Sequence, residues 1–121
     1  TFKGYKVGRE VFPATLCVSI NHEIVHGIPS ERVLEEGDIL SVDCGATLDG
    51  FVGDSAVTLP VGAIAEEVQL LLDRTRECLY EGIRASIPGN RIGDIGHAVE
   101  SHVSPFGYGV VEDFCGHGVG R

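Results

Sequence analysis

The chain has no methionine anywhere in its 121 residues, so the residue that starts a translated protein is not among them. Thr1 and Arg121 therefore read as the ends of an internal piece of a longer protein. Long apolar runs are missing too. No stretch approaches the roughly 18 residues of a membrane span, and no charged, apolar, small-residue series opens the chain as a secretion signal would. Basic residues are scarce: 9 Lys and Arg against 18 Asp and Glu leave a net charge of −9. That balance argues against nucleic acid or an anionic membrane as the main partner, since phosphate backbones call for a basic surface. The four cysteines, Cys17, Cys44, Cys78 and Cys115, form no CxxC pair. Zinc-ribbon and redox-motif readings fail on that spacing, and free thiols in a reducing cytoplasm are the expectation. There is no GK[ST] phosphate loop, and GHGVG lacks GxGxxG spacing. Neither a Ser-centred nucleophile elbow nor an internal repeat is found.

What is present is ordinary globular composition, 43% hydrophobic and 22% charged, enough for one small domain with a core. The most informative stretch is SVDCGATLDGFVGDSAVT, residues 41–58. It predicts an antiparallel hairpin turning at Asp49-Gly50, a pair that tolerates the positive φ of a type I′ turn. Leu48 then faces Phe51, Asp43 faces Ala56, and Gly45 faces Asp54. Side chains alternate between faces, so Asp43 and Asp54 project from one face as diagonal neighbours. Gly45 leaves open space beside Asp54. The opposite face, with Val42, Cys44, Ala46, Leu48, Phe51 and Val57, reads as core. Two close carboxylates repel unless a cation lies between them, and divalent metals are the usual cation. The competing reading is a solvated polar sheet face.

Elsewhere, residues 1–15 are expected to be an irregular loop whose aromatics, Phe2, Tyr5 and Phe12, go to core or to a pocket wall. LCVSI at 16–20 predicts a strand, 21–23 a turn, and 24–26 a second short strand. Pro29 then forces a sharp loop, leaving His26 at a strand end, where active-site residues are common; a solvated histidine is the plainer alternative. Residues 31–37 are a polar connector. The spacing predicts a helix over 64–86, with Val68, Leu71, Leu72, Thr75, Leu79 and Ile83 inward. A second follows over 91–104, capped by Asn90, with Ile92, Ile95, Val99 and Val103 inward and Gly96 in close packing. His97 and His102 do not share a helix face as i, i+4 metal ligands do, and both read as surface residues. A strand is expected at 108–112. His117, flanked by Gly116 and Gly118, lies on open backbone that suits a ligand or substrate contact.

Taken together, CVSINHEIVHGIP at 17–29, DILSVDCGATLDGFVGDSAVT at 38–58 and CGHGVGR at 115–121 resemble the type I methionine aminopeptidases over nearly the whole chain. The resemblance implies the α/β (α+β) pita-bread fold, an antiparallel sheet with helices on one face. Residues 1–121 would then be a single partial catalytic domain, truncated at both ends and holding about the first half plus the start of the second. It implies two divalent metals (cobalt, manganese, iron(II) or zinc) held by Asp43, by a bridging Asp54, by His117 and by two glutamates that the family places beyond Arg121. A monovalent cation near the backbone of Asn21 is a further option. His26 resembles the catalytic histidine that hydrogen-bonds the substrate, while Cys17 and Phe12, with Tyr5 as a weaker match, resemble the methionine pocket.

The implied activity is cytoplasmic removal of the initiator methionine from nascent chains, with the ribosome as an optional partner, through a water or hydroxide bridging two metals. The implied alternatives are an Xaa-Pro peptidase of the same fold, which as a rule lacks the HGIP loop, and a non-catalytic binding protein, which typically loses ligands. With two glutamates outside it, the 121-residue piece alone is expected to bind metal weakly and to release no methionine. Detectable release from a Met-Ala peptide by the purified piece would overturn that expectation.

Overall fold

The computed structural model describes residues 1–7 and 10–121, and the chain falls into two compact units. The first comprises residues 1–65 and 117–121, the second residues 66–116. Among the described residues no helix is long and apolar enough to cross a membrane.

The first unit is built on three antiparallel strands in the order β3-β4-β5: β3 (Cys17–Ile20), β4 (Ile39–Leu48) and β5 (Phe51–Pro60). The β4–β5 register is the expected one, with Leu48 opposite Phe51, Asp43 opposite Ala56 and Gly45 opposite Asp54. Its turn residues Asp49 and Gly50 have φ of 51° and 80°, the left-handed values a type I′ turn needs. On the other side of β4, Cys17 pairs with Asp43 and Ser19 with Ser41. The buried residues of this unit lie around β3 and its neighbours: Cys17, Ser19, Ile20 and Asp38.

Asp38 directly follows the 31–37 polar connector, where the sequence reading starts the hairpin segment and assigns this acid no role. It accepts hydrogen bonds from the Glu35 N–H (3.0 Å), from Asn21 Nδ2 (2.7 Å) and, at both carboxylate oxygens, from Arg32 Nη2 (3.1 and 3.2 Å). The Glu35 N–H most of all, then Asn21 and Arg32, hold this carboxyl below its usual range. The network ties the loop after β3 to the start of β4.

Three expectations for this unit need correction. Residues 1–15 are not wholly irregular: β1 (Lys6–Val7) and β2 (Glu10–Val11) pair as a small hairpin, continued by Gly4 N–H to Phe12 O (3.0 Å) and Phe12 N–H to Tyr5 O (2.8 Å). Residues 24–26 form no strand, because His26 takes a left-handed φ of 61° that no extended ladder admits. The hairpin face expected to be core is largely exposed, with Leu48 at 76% and Phe51 at 53%. The reason is topological: β3 pairs only with residues 40–43 of β4, so beyond them the hairpin runs on as a two-stranded ribbon.

The second unit is a pair of helices, α1 (Glu66–Ala85) and α2 (Ile92–Val103), followed by a single 3₁₀ turn at Ser104–Phe106. Both helices start and stop close to where periodicity places them. Glu66 and Glu67 in the first turn of α1 and Arg84 in its last suit the helix dipole. The faces differ from expectation. Leu71, Leu79 and Ile83 are exposed, whereas Cys78 and Gly82 are buried. The helices meet at these small residues: a Cβ on Gly82 would lie 3.5 Å from Ile95 and from Val99, at van der Waals contact with the α2 side chains. Gly96, expected to mark a close approach, has nothing within 4 Å of a Cβ position, and Ile92 is 82% exposed. The N-cap is Arg91 rather than Asn90. The Asp94 carboxylate accepts from the Arg91 N–H at 2.7 Å, while Asn90 donates to Ala85 O at 2.9 Å. No strand forms over 108–112.

His102 is not a free surface residue. Its Nε2 meets Glu77 Oε2 at 3.0 Å, and the same oxygen accepts from Arg74 at 2.6 Å. The Arg74 guanidinium in turn stacks 4.1 Å over the Phe106 ring. Arg74 first and His102 second hold the Glu77 carboxyl below its ordinary value of 4.5. A carboxyl depressed in the folded state stabilises it fully above the ordinary value, and that stabilisation is lost as pH falls through the folded value. The Glu77→Gln protein is therefore expected to melt below wild type at neutral pH, and the two melting temperatures to converge on acidification. Parallel melting curves across that range would show that Glu77 does not link the helices.

Candidate active site

The pleat of β3, β4 and β5 gathers Cys17, Ser19, Ser41, Asp43, Gly45, Asp54, Ala56 and Thr58 on one face of the first unit. Cys17 and Asp43 are cross-strand partners, and Asp54 is diagonal to Asp43 across the Gly45–Asp54 pair. Ser41 and Thr58 join hydroxyls at 2.8 Å beside them.

The two aspartates interact electrostatically. Burial, then the negative charge of Asp54, then a hydrogen bond shared with the Asp54 carboxyl push the Asp43 pKa upward. The positive charge of His26 and the N–H of Cys44 oppose the shift. His26 therefore lies within electrostatic reach of this face. The Cys17 thiol is pushed up by burial, by Asp43 and by Asp54, so it stays protonated and presents a neutral sulfur next to the acids.

His117 belongs to the same unit. Its Nε2 stands 3.8 Å from Asp54 Oδ2, too far for a hydrogen bond, and its Nδ1 lies 3.1 Å from Gly118 O. The segment that carries it is anchored alongside, with Val52 N–H donating to Gly120 O at 2.7 Å and the Arg121 guanidinium 4.1 Å over the Phe51 ring. Among the described residues, no three His, Cys, Asp or Glu side chains converge closely enough to hold a metal ion. Two acidic oxygen donors and an imidazole nevertheless form the donor chemistry of a divalent metal site, and the mutual repulsion of Asp43 and Asp54 is what such a cation would relieve.

The expected open space beside Asp54 is filled. A Cβ on Gly45 would lie 3.0 Å from the edge of the Phe2 ring, so that ring rests on the strand where the glycine leaves room. Phe12 meets Phe2 edge to face, with centroids 6.4 Å apart and planes at 84°. Phe2, expected in core or in a pocket wall, is a wall residue whose place beside Gly45 the sequence reading did not find. The available signal was a glycine in mid-strand, which marks a close approach by something else. Tyr5, by contrast, is 70% exposed and lines nothing on this face. Asn21 has a φ of 54° and is held by its side chain, which donates to Asp38 and accepts from the Ile39 N–H at 3.0 Å.

Metallopeptidase family M24 matches residues 1–121. The chain belongs to this family. A methionine aminopeptidase of Clostridium acetobutylicum is 51% identical over 122 aligned residues, and methionine aminopeptidase 1 of Bacillus subtilis is 47% identical over 121. Each match takes in 100% of this chain and 47% of the relative, so the chain spans about half the length of the curated relatives it matches. The crystal structure of methionine aminopeptidase from Thermotoga maritima superposes with a TM-score of 0.91 at 45% identity, over 98% of this chain and 47% of that one. The X-Pro aminopeptidase of the same organism superposes at 0.73 with 23% identity, which shows shared fold alone. The fold is thus the pita-bread arrangement of M24 proteins, represented here by about half its length.

His26 owes its place to the residue after it. A Cβ on Gly27 would lie 2.2 Å from the Val18 carbonyl oxygen and 2.8 Å from Ser19 Cα, both backbone atoms that cannot step aside. In the M24 chain Gly27 thus lets the His26 loop lie flat on β3, and the left-handed φ of His26 costs about 1–2 kcal/mol that this packing must offset. Gly27→Ala is expected to destabilise the protein by about 2 kcal/mol or more. Gly53→Ala, at a site with nothing within 4 Å, is the control and is expected to be near neutral. Equal melting temperatures for the two variants would contradict the close approach.

Proposed function

We propose that this chain forms part of a single catalytic domain of a metal-dependent aminopeptidase that removes the N-terminal methionine of nascent proteins in the cytoplasm. The observation that carries the reading is the Asp43–Asp54 pair, two acids diagonal on one sheet face, where burial and the Asp54 charge raise the Asp43 pKa and His26 acts against that shift. The relatives named as methionine aminopeptidases support the substrate.

Asp43, Asp54 and His117 are the residues that would hold a divalent metal pair; donor type alone does not select among cobalt, manganese, iron(II) and zinc. When bound, such a pair supplies Lewis-acid polarisation of the scissile carbonyl and lowers the pKa of a water. The chain's own residues do the rest. Asp43 and Asp54 provide negative charge on one spot, which a bound cation would neutralise. His26 hydrogen-bonds the peptide as charge develops on it, stabilising the transition state more than the ground state. Cys17, Phe12 and Phe2 offer a neutral, polarisable wall that suits an unbranched thioether side chain. Asn21 is the residue whose backbone would help hold a monovalent cation. Direct nucleic-acid binding and membrane attachment form no part of this reading, and docking at the ribosome would bring the enzyme to its substrate.

An Xaa-Pro peptidase is the second reading, and the HGIP loop at 26–29 together with fold-only likeness to such enzymes weighs against it. The full-length protein, supplied with divalent metal, is expected to cleave Met-Ala peptides and to leave Ala-Pro peptides intact. Asp54→Ala is expected to abolish the two-metal isotherm in calorimetry. Turnover of Ala-Pro in place of Met-Ala, or unchanged metal binding by Asp54→Ala, would overturn the proposal.

A further inference from the structure

His26 is followed by a glycine that is held at both of its polar groups. The Gly27 carbonyl accepts from the Val18 N–H at 2.8 Å, and the Gly27 N–H donates to Ser19 Oγ at 3.0 Å. Ser19 is 3% exposed, so its hydroxyl faces no competing bulk water. The Gly27 N–H belongs to the peptide plane that joins His26 to Gly27, and the angle of that plane is the ψ of His26. With φ already at 61°, fixing this plane leaves the His26 backbone one conformation and its side chain one point of departure.

We propose that Ser19 is a positioning residue for His26: its buried hydroxyl orients the His26–Gly27 peptide and so aims the imidazole at the site beside Asp43. The proposal rests on the aminopeptidase reading, in which His26 touches the substrate. Three features make the assignment specific. Ser19 stands two residue pairs from the Cys17–Asp43 pair and next to it on the site face of β3, so the loop and the acids are referenced to the same strand. Left-handed backbone at a histidine relaxes readily unless neighbours hold it. The Gly27 N–H, pressed against β3, would lose its partner if the hydroxyl were removed, which gives the peptide reason to rotate.

The test is a double-mutant cycle in the full-length, metal-loaded protein with a Met-Ala peptide. Ser19→Ala is expected to lower kcat by about tenfold or more with KM within about twofold, since slight misplacement of a catalytic group is costly. Metal binding by calorimetry is expected to be unchanged. On a His26→Ala background the same Ser19 substitution is expected to cost less than about twofold, because a residue acting through His26 has nothing left to position. Ser19→Cys, whose sulfur accepts more weakly from nearly the same place, is expected to fall between serine and alanine, and serves if the alanine protein does not fold. Equal losses on both backgrounds, a KM-only effect, or Ser19→Cys matching wild type would overturn the role of Ser19. Wild-type turnover by His26→Ala would instead overturn the role of His26, and with it the functional reading beneath the proposal.

Discussion

The repulsion between Asp43 and Asp54 is the constraint around which the first unit is arranged. Nothing forces a folded chain to place two acids diagonally on one sheet face. Here the register does so, and a single two-residue turn sets the register: Asp49 and Gly50 at positive φ bring Leu48 opposite Phe51. A slip of one residue would send one aspartate to the other face. The consequence is chemical. Burial and then the nearby Asp54 make Asp43 a weaker acid, and His26 partly offsets that shift. A cation beside the two acids would convert their unfavourable electrostatic contact into a favourable one.

The surroundings serve to keep that contact dry on one side and approachable on the other. Cys17 places a protonated sulfur beside the acids, and Phe2 and Phe12 wall the face above Gly45. The Asp38 network with Asn21, Arg32 and Glu35 is a different kind of device. It fastens the long connection from β3 to β4 so that both strands present their site residues in register. Its acid is stabilised where the site's acid is destabilised. One carboxylate is surrounded by donors, the other faces a like charge.

How much of this was legible in the sequence depended on the range of the interaction. The hairpin, its register and the pairing of Asp43 with Asp54 were legible because Asp49-Gly50 and period-two alternation act locally. The helix spans were legible for the same reason. Strands at 24–26 and 108–112 were misread because a β-rich run becomes a strand only with a partner, and at 24–26 the left-handed His26 forbids one. The inward face of α1 was misread because hydrophobicity ranks Leu71, Leu79 and Ile83 above Cys78 and Gly82. Close helix approach rewards the smaller side chains. Phe2 was assigned only to core or pocket wall, since nothing local links it to Gly45.

The same distinction explains the glycines. Gly45 and Gly27 each vacate space that a specific neighbour fills: the Phe2 ring and the β3 backbone. Gly53 and Gly96 vacate space that nothing fills. Sequence alone cannot separate these two kinds, because a missing side chain looks the same whether or not something presses against it. In this chain the filled kind recurs where function needs a fixed distance. Gly45 sets the wall beside the acids, and Gly27 lets the histidine loop rest on the strand that carries Cys17. The arrangement ties acids, wall and histidine to one β-sheet face through a tight contact at Gly45 and, at Gly27, one too short for any Cβ, so a methyl group at position 27 would disturb the site from outside its chemistry.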